Sequence, residues 1–389
     1  MPALTNTDSD PCLGLDVLVE GRTKIVYRDA RDPNAVLIRT RQEPDDGETR
    51  QIFVPDWPAL STTTTCNAFK LLNEAGIRTH FLNRVDAVTF RARQCEMVGV
   101  AVVVRRIATG SYLRRFPAVA EGARFRPPLI EFFEKNDLLH DPHVIEGDIL
   151  GRSMLTSDEL ATIKRESIRA FDVLERAWAL RDVVLVDVKF EFGRCQDRLL
   201  LADVVDNDSW RIWPGGHKEV LKDKLAMHEP VDGSPESLAR ATDNYRWVAE
   251  KTETFPATGL GKAVLLRPRE SATCSEETLG EMVHVIFRQL HDLGIACDKV
   301  QSDRLDDALL RYDADGRPVV VLVLGAQAPD LEESVPYPVI SVGNGYDADT
   351  AEIWLHCQQA AWQAARILAV ADPSLYGRLL AWRAHTSRE

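Results

Sequence analysis

What this sequence lacks narrows its class before any motif is read. No apolar run in its 389 residues approaches the ~20 needed to span a bilayer. The opening stretch MPALTNTDSDPCLG has neither a basic n-region nor an apolar h-region, so neither a secretory leader nor a membrane role is expected. Positive charge is in deficit: 47 Lys and Arg against 60 Asp and Glu give a net −13, which argues against nonspecific binding to nucleic acid or anionic membranes. The 7 cysteines are odd in number and scattered, with no CxxC pair. That pattern suits neither a disulfide framework nor a zinc site, and a reducing, cytoplasmic setting is expected. Internal repeats, low-complexity tracts and the GxxxxGK[ST] phosphate loop are also missing.

What remains is an ordinary globular balance, 45% apolar and 28% charged, in a chain long enough for two or more domains. Residues 15–104 read as strand-rich: VLVEGRTKIVYRD and AVLIRT form a hairpin, CNAFKLLNEAG a helix, and further strands run through AVVVRRI. Leu160, Ile163, Ile168, Phe171, Leu174 and Trp178 recur at helical spacing over 157–180. Thr156 or Ser157 can cap that helix, with Glu159 in its first turn. SPESLARATDNYRWVAEKTE predicts another helix, and FPATGLGK is a Pro/Gly linker. Beyond it, AVLL, IACDKV, PVVVLVLG and YPVISVG alternate with two helical stretches, the signature of a three-layer α/β domain with a mainly parallel sheet.

The chemistry concentrates in residues 183–213, VVLVDVKFEFGRCQDRLLLADVVDNDSWRIW. They predict a hairpin in which Val186, Val188, Phe190 and Phe192 share one face and Asp187, Lys189 and Glu191 the other. A returning strand, 199–205, brings Asp203 toward Glu191. Two carboxylates beside a lysine suit Mg²⁺ with a phosphorylated ligand; a solvated strand face is the alternative. Gly21, Arg22 and Lys24 lie in a turn between strands, either a phosphate cover or a plain basic tip. Arg105 and Ser111 bracket a Gly-Ser turn after an apolar strand, and Arg114 and Arg115 add positive charge to an acidic protein. Guanidinium groups grip phosphate bidentately, whereas a basic surface is the bland reading. In the polar loop of Lys135 and Asp141, a Lys can hold a carboxylate and an Asp an amine; His140 reads more simply as structural. Asp206 to Arg211 is either an Asx turn or the support of a phosphate-reaching Arg211.

Taken in order, EGRTK, QCEM, RRIATGS, KNDLLHDP, LVDVKFEFG and ADVVDNDSWRIWP resemble the motifs of the SAICAR synthetase (phosphoribosylaminoimidazole-succinocarboxamide synthase) family over about residues 15–254. Residues 262–389 resemble the carboxylase domain that follows the synthetase in the animal bifunctional enzyme, most clearly in AAWQAARILAVADPSLYGRLLAWR. The resemblance implies a flexible 1–14 and a two-lobed, ATP-grasp/kinase-like α+β domain with lobes of about 15–104 and 105–254. After a linker at 255–261 it implies a flavodoxin-like α/β/α domain. The implied activity joins the carboxylate of an azole ribonucleotide, carboxyaminoimidazole ribonucleotide (CAIR), to the amine of L-aspartate. ATP and Mg²⁺ are used, the intermediate is an acyl phosphate, and the products are a succinocarboxamide, ADP and phosphate.

By resemblance, Gly21, Arg22 and Lys24 line the ATP phosphates, Glu96 and Met97 the adenine hinge, and Lys189 contacts phosphates. Glu191 and Asp203 hold Mg²⁺, while Arg105, Ser111 and Arg211 take the ribonucleotide phosphate. Lys135, Asp141 and Asp187 surround the reacting carboxylate and amine, and Asp46, Ala101 and Asp208 face the ring and the amino acid.

Three departures stand out. Ala101 replaces an acidic residue that would face the ring. Thr62 and Thr63 stand where Asn and Lys are expected. The second domain has RPRESATCSEE for a Gly-Ser phosphate loop, Gln301-Ser302-Asp303 for Ser-Ala-His, and a shortened LGAQAPDLEE loop, so a noncatalytic role in folding or homo-oligomerisation is expected there. Two alternatives stay open: a nucleoside-antibiotic paralog acting on another azole, such as a pyrazole carboxylate, and a nucleotide-binding scaffold without catalysis.

Overall fold

The computed structural model describes residues 10–41, 56–136, 141–220, 222, 234–255, 261–267, 275–301, 318–324, 338–342 and 350–386. The chain divides into two compact units, Met1–Asn73 with Ile77–Phe255, and Glu74–Gly76 with Pro256–Glu389. Asp46, His140 and most of the expected linker lie outside the described residues. Residues 10–14, expected to belong to a flexible tail, form a turn in which Cys12 is buried and Asp10 pairs with Arg39.

The first unit carries two sheets. One is antiparallel, ordered β1 (Val17–Glu20), β2 (Lys24–Arg28), β3 (Ala35–Thr40), β5 (Thr89–Arg93), β4 (Phe81–Arg84). Its apolar side packs on helix α1 (Trp57–Glu74) through Val36, Ile38, Phe90, Ala92 and Cys66. The helix was expected to begin at Cys66 but starts nine residues earlier, taking in four consecutive threonines. Threonine is a weak helix former because its branched Cβ crowds the preceding turn. Here Thr62, Thr63, Thr64 and Thr65 are all buried, and tertiary packing overrides the local preference.

The second sheet is ordered β10 (Arg198–Ala202), β9 (Val183–Cys195), β6 (Glu96–Ile107), β7 (Arg124–Glu134), β8 (His143–Val144), with β11 (Trp210–Pro214) also on β9. Two short helices, α2 (Ser111–Arg115) and α3 (Glu146–Gly151), fill its connections. The long helix α4 (Ser157–Ala179) lies across one face. Its Phe171, Leu174 and Trp178 are fully buried, as are Val186, Val188, Phe190 and Phe192 of β9. Arg106, whose guanidinium lies 5.5 Å over the Phe171 ring, and Trp210, edge-on to Trp178 at 5.3 Å, mark the same side. Helix α5 (Pro235–Glu253) completes the unit, its Tyr245 packing edge-on to Trp57.

The simple hairpin expected for 183–213 is a three-strand arrangement. β10 pairs with the C-terminal part of β9, Ala202 opposite Glu191. β11 returns to pair with its N-terminal part, Arg211 opposite Asp187. The strand expected to run through Val205 stops at Ala202, because Asp203 turns to a left-handed φ of 61°.

The second unit is a parallel sheet ordered β13 (Ala296–Gln301), β12 (Lys262–Arg267), β14 (Val319–Leu324), β15 (Val339–Val342). Helices α6 (Glu276–Asp292) and α7 (Thr350–Leu368) pack on each other and on the strands, and α8 (Pro373–Thr386) packs on α7. The continuous apolar strand Val319–Leu324 is buried throughout, as a parallel strand requires. The segments that depart from the carboxylase pattern lie mostly outside the described residues.

Helix α4 opens with a reciprocal capping box: Thr156 accepts from the Glu159 backbone N–H, and Glu159 accepts from that of Thr156. The Arg194 hydrogen bond, aided by Thr156, holds the Glu159 carboxyl down to about 2. A depressed carboxyl stabilises the fold above its ordinary pKa and loses that contribution as pH falls toward the folded value. The stability gap between the wild type and Arg194→Ala should therefore narrow as pH drops from about 5 to about 2.5 in urea titrations. Thr156→Ala should cost about 1 kcal/mol at neutral pH in the same titrations.

Candidate active site

Cross-strand register builds the site. Residues directly opposite one another in antiparallel strands share a face. Phe133, Ala101, Glu191 and Ala202 form one row across β7, β6, β9 and β10. Glu131, Val103 and Lys189 form the next. Leu129, Arg105, Asp187 and Arg211 form the third, from β7 to β11. With α4 on the other face, every charge in these rows points away from it.

In the third row Arg105, only 1% exposed, donates Nε to Glu131 at 3.0 Å and Nη1 to Asp187. Arg115 also reaches Glu131, and His143 Nε2 lies 4.0 Å from it. The Arg211 Nη1 sits 3.5 Å from Asp187, while its Nε and Nη1 hydrogens find no acceptor among the described residues. A buried guanidinium with spare donors is suited to an anionic ligand. Gly110 lies against it in a left-handed conformation (φ 59°), where a Cβ would approach Arg211 Cζ to 2.9 Å. Ser111 begins α2 directly after this glycine.

In the first two rows Glu191, buried, accepts from Lys189 at 2.9 Å and from Lys135. Asp141, at a φ of 50°, accepts from the backbone N–H of Asn136 at 2.9 Å, and its charge helps raise Lys189. The other sheet supplies Lys24, whose Nζ meets Asp203 Oδ1 at 2.8 Å. Burial works against the Lys24 charge, but Asp203, then Asp206 and Glu191, hold the ammonium above its ordinary pKa. Burial would raise the Asp203 carboxyl; Lys24, with Lys189 and Lys135, pulls it down to about 2 instead. Lys189 is likewise raised against its burial, chiefly by Glu191. Three ammonium groups and two carboxylates thus gather where the two sheets meet.

The remaining expected residues lie around this cluster. Gly21 and Arg22 form the exposed β1–β2 turn, closed by a Gly21 N–H to Lys24 carbonyl bond of 2.8 Å. Glu96 and Met97 are exposed at the start of β6, beside Gly193, where a Cβ would meet Cys95 Cβ at 2.5 Å. Ala101 is buried between Phe133 and Glu191. Asp208 is exposed, its N–H held by Asp206 at 3.0 Å in the Asx turn.

Sequence reasoning missed Glu131, the shared acceptor of two arginines; its signal was a single charge within the apolar alternation Leu129, Glu131, Phe133. It also missed Ser61, which donates to Asp206 at 2.5 Å, and the hydroxyl pair Thr40–Thr62 at 2.8 Å. His80 was missed as well: its imidazole is buried and lies 3.0 Å from the Asp203 carbonyl.

The SAICAR synthetase family model matches residues 17–231, more than half of the chain. The chain belongs to the SAICAR synthetase family. It is 45% identical over 240 residues to the phosphoribosylaminoimidazole-succinocarboxamide synthase of Roseiflexus sp. (strain RS-1), covering 61% of this chain and 96% of that one. It is 34% identical over 342 residues to the multifunctional protein ADE2 of Gallus gallus, covering 83% and 79%. That match is too long to be held within the first unit. A SAICAR synthetase solved in complex with ADP superposes with a TM-score of 0.53 at 26% identity, over 62% of this chain and all of that one. The synthase of Ehrlichia chaffeensis gives 0.54 at 30% identity, with coverage of 62% and 100%. SAICAR synthetase membership makes the chain an ATP-dependent carbon–nitrogen ligase.

Gly110→Ala should drive the Arg211 guanidinium from its seat. For this ligase, the KM for the nucleotide substrate should rise at least about tenfold in steady-state assays, with the KM for ATP little changed.

Proposed function

We propose that the first unit joins CAIR to L-aspartate at the face shared by β6, β7, β9 and β11, using ATP bound toward Lys24 and the β1–β2 turn. The observation that carries this reading is the convergence of Lys24, Lys135 and Lys189 on Glu191 and Asp203. Transfer of a phosphoryl group to a carboxylate gathers negative charge, and fixed cations in a partly buried site stabilise it. Lys24 and Lys189 contact the ATP phosphates. Arg211 and Ser111 take the ribonucleotide phosphate, and Arg105, committed to Glu131 and Asp187, holds that end of the pocket in shape.

The acyl carboxylate oxygen attacks the γ-phosphorus, and ADP leaves with the bridging oxygen. The aspartate amine then attacks the acyl carbon, phosphate leaves, and the nitrogen gives up a proton. Asp187, oriented by Arg105 and Arg211, and Asp141 face the incoming amine, while Lys135 steadies the carboxylate. Glu191 and Asp203 fit a divalent cation, since two carboxylates completed by phosphate oxygens are an ordinary Mg²⁺ set. When bound, Mg²⁺ would neutralise charge on the phosphates, and Lys24, Lys135 and Lys189, now paired to these carboxylates, would turn to the phosphate oxygens.

The second unit's all-parallel order β13-β12-β14-β15 supports a flavodoxin-like, three-layer reading. We assign it no catalysis, because the sequence lacks the glycine loop and the histidine of its carboxylase relatives, and we assign it self-association instead.

Purified protein given ATP, Mg²⁺, L-aspartate and CAIR should release ADP with a succinocarboxamide seen by mass. ATP binding without turnover would refute the assigned acceptor. Glu191→Ala and Asp203→Ala should each lower kcat at least about a hundredfold, and near-normal kinetics would remove the metal assignment.

A further inference from the structure

Asp203 is reached in an unusual way. It sits one residue beyond β10 at a left-handed φ of 61°, a conformation that Asp tolerates but does not prefer. Its carboxylate is drawn to Lys24 of the other sheet. Something must hold the main chain in that bend, and the contact that meets its carbonyl is the His80 imidazole, with Nε2 at 3.0 Å. A carbonyl oxygen only accepts, so Nε2 carries the hydrogen.

The main chain and the ring of His80 are held as well. Its backbone N–H donates to the Leu201 carbonyl at 2.9 Å, and its own carbonyl accepts from Arg93 at 2.7 Å. Leu201 in turn donates to the Arg78 carbonyl at 3.0 Å, and Thr79 forms a parallel bridge with Leu201. The ring lies edge-on to Phe69 at 5.3 Å and to Phe90 at 5.9 Å. Residues 78–80 therefore stitch one sheet to the end of β10, and the imidazole continues that stitch by one more hydrogen bond to the residue that turns.

We propose that His80 is a positioning residue for Asp203, locking its bent main chain so that its carboxylate is presented to the metal–phosphate site. The inference rests on the functional reading above. It assigns His80 no contact with substrate and no proton transfer. The role is that of an outer partner which orients a ligand, and loss of such partners commonly lowers metal affinity by about 10- to 100-fold.

The test separates the donor from the packing. His80→Phe keeps an aromatic ring between Phe69 and Phe90 but removes the N–H; His80→Gln restores a side-chain N–H of similar reach. ADP binding by calorimetry across a Mg²⁺ series gives the Mg²⁺ concentration for half-saturation, a readout independent of turnover. We expect His80→Phe to raise it about tenfold and His80→Gln to return it to within about threefold of wild type, with ADP affinity in chelator alike in all three. An unchanged Mg²⁺ requirement in His80→Phe would overturn the proposal, as would equal impairment of both variants. If His80→Phe does not fold, His80→Leu is compared in its place; failure of both to fold would assign His80 to core stability and overturn the proposal too. Wild-type protein that binds no ADP at all would instead remove the functional reading beneath it.

Discussion

The two-faced character of β9 is the constraint on which the first unit depends. Its even-numbered residues, Val186 to Phe192, are apolar and fully buried. Pairing with β6, β10 and β11 satisfies its backbone, and α4 covers its apolar side. Because side chains alternate strictly, burying that side leaves Asp187, Lys189 and Glu191 together on the other. The neighbouring strands pair in register, so their own charges fall into line: Arg105 and Glu131 from β6 and β7, Arg211 from β11. The same apolar burial that stabilises the sheet thereby concentrates these charges on one face.

Concentrating charge in a half-buried face is costly unless each group is paired. The structure answers with shared partners. Glu131 serves two arginines, Glu191 two lysines, and Asp187 two arginines. Such pairs need not add to stability relative to apolar residues, yet breaking one leaves an uncompensated charge. In this protein the pairing also holds the guanidinium and ammonium groups in place, aimed at one region. Among the described residues the Nε and Nη1 donors of Arg211, beside Gly110, find no acceptor, and neither does the Nε of Arg115.

The second constraint is the junction between the sheets. Lys24 belongs to one sheet and Asp203 to the end of the other, with Ser61–Asp206 and Thr79–Leu201 alongside. The carboxylate of Asp203 is in place only because the chain leaves β10 abruptly. The departures Thr62 and Thr63 fall near this seam, where Thr62 shares a hydrogen bond with Thr40 directly opposite Lys24 in the β2–β3 pair. Ala101 falls instead in the row with Glu191, where a methyl group is all that separates Phe133 from the carboxylate.

The sequence alone determined the alternation of β9, the capped helix α4 and the α/β alternation of the second unit, because each follows from a local period or a local cap. It also pointed to Lys189, Glu191, Asp203, Arg105 and Arg211, since charges at fixed offsets in an apolar strand are visible without a fold. It placed the start of α1 nine residues late, because four threonines read against a helix until burial is known. It gave the return to 199–205 alone and no strand to 210–214, because two strands pairing with different halves of a third leave no local mark. Glu131, His80, Ser61 and the Thr40–Thr62 pair emerged only from tertiary structure: each acts on a partner 22 or more residues away. Periodicity fixes which side of an element a residue occupies; only packing decides what stands opposite it.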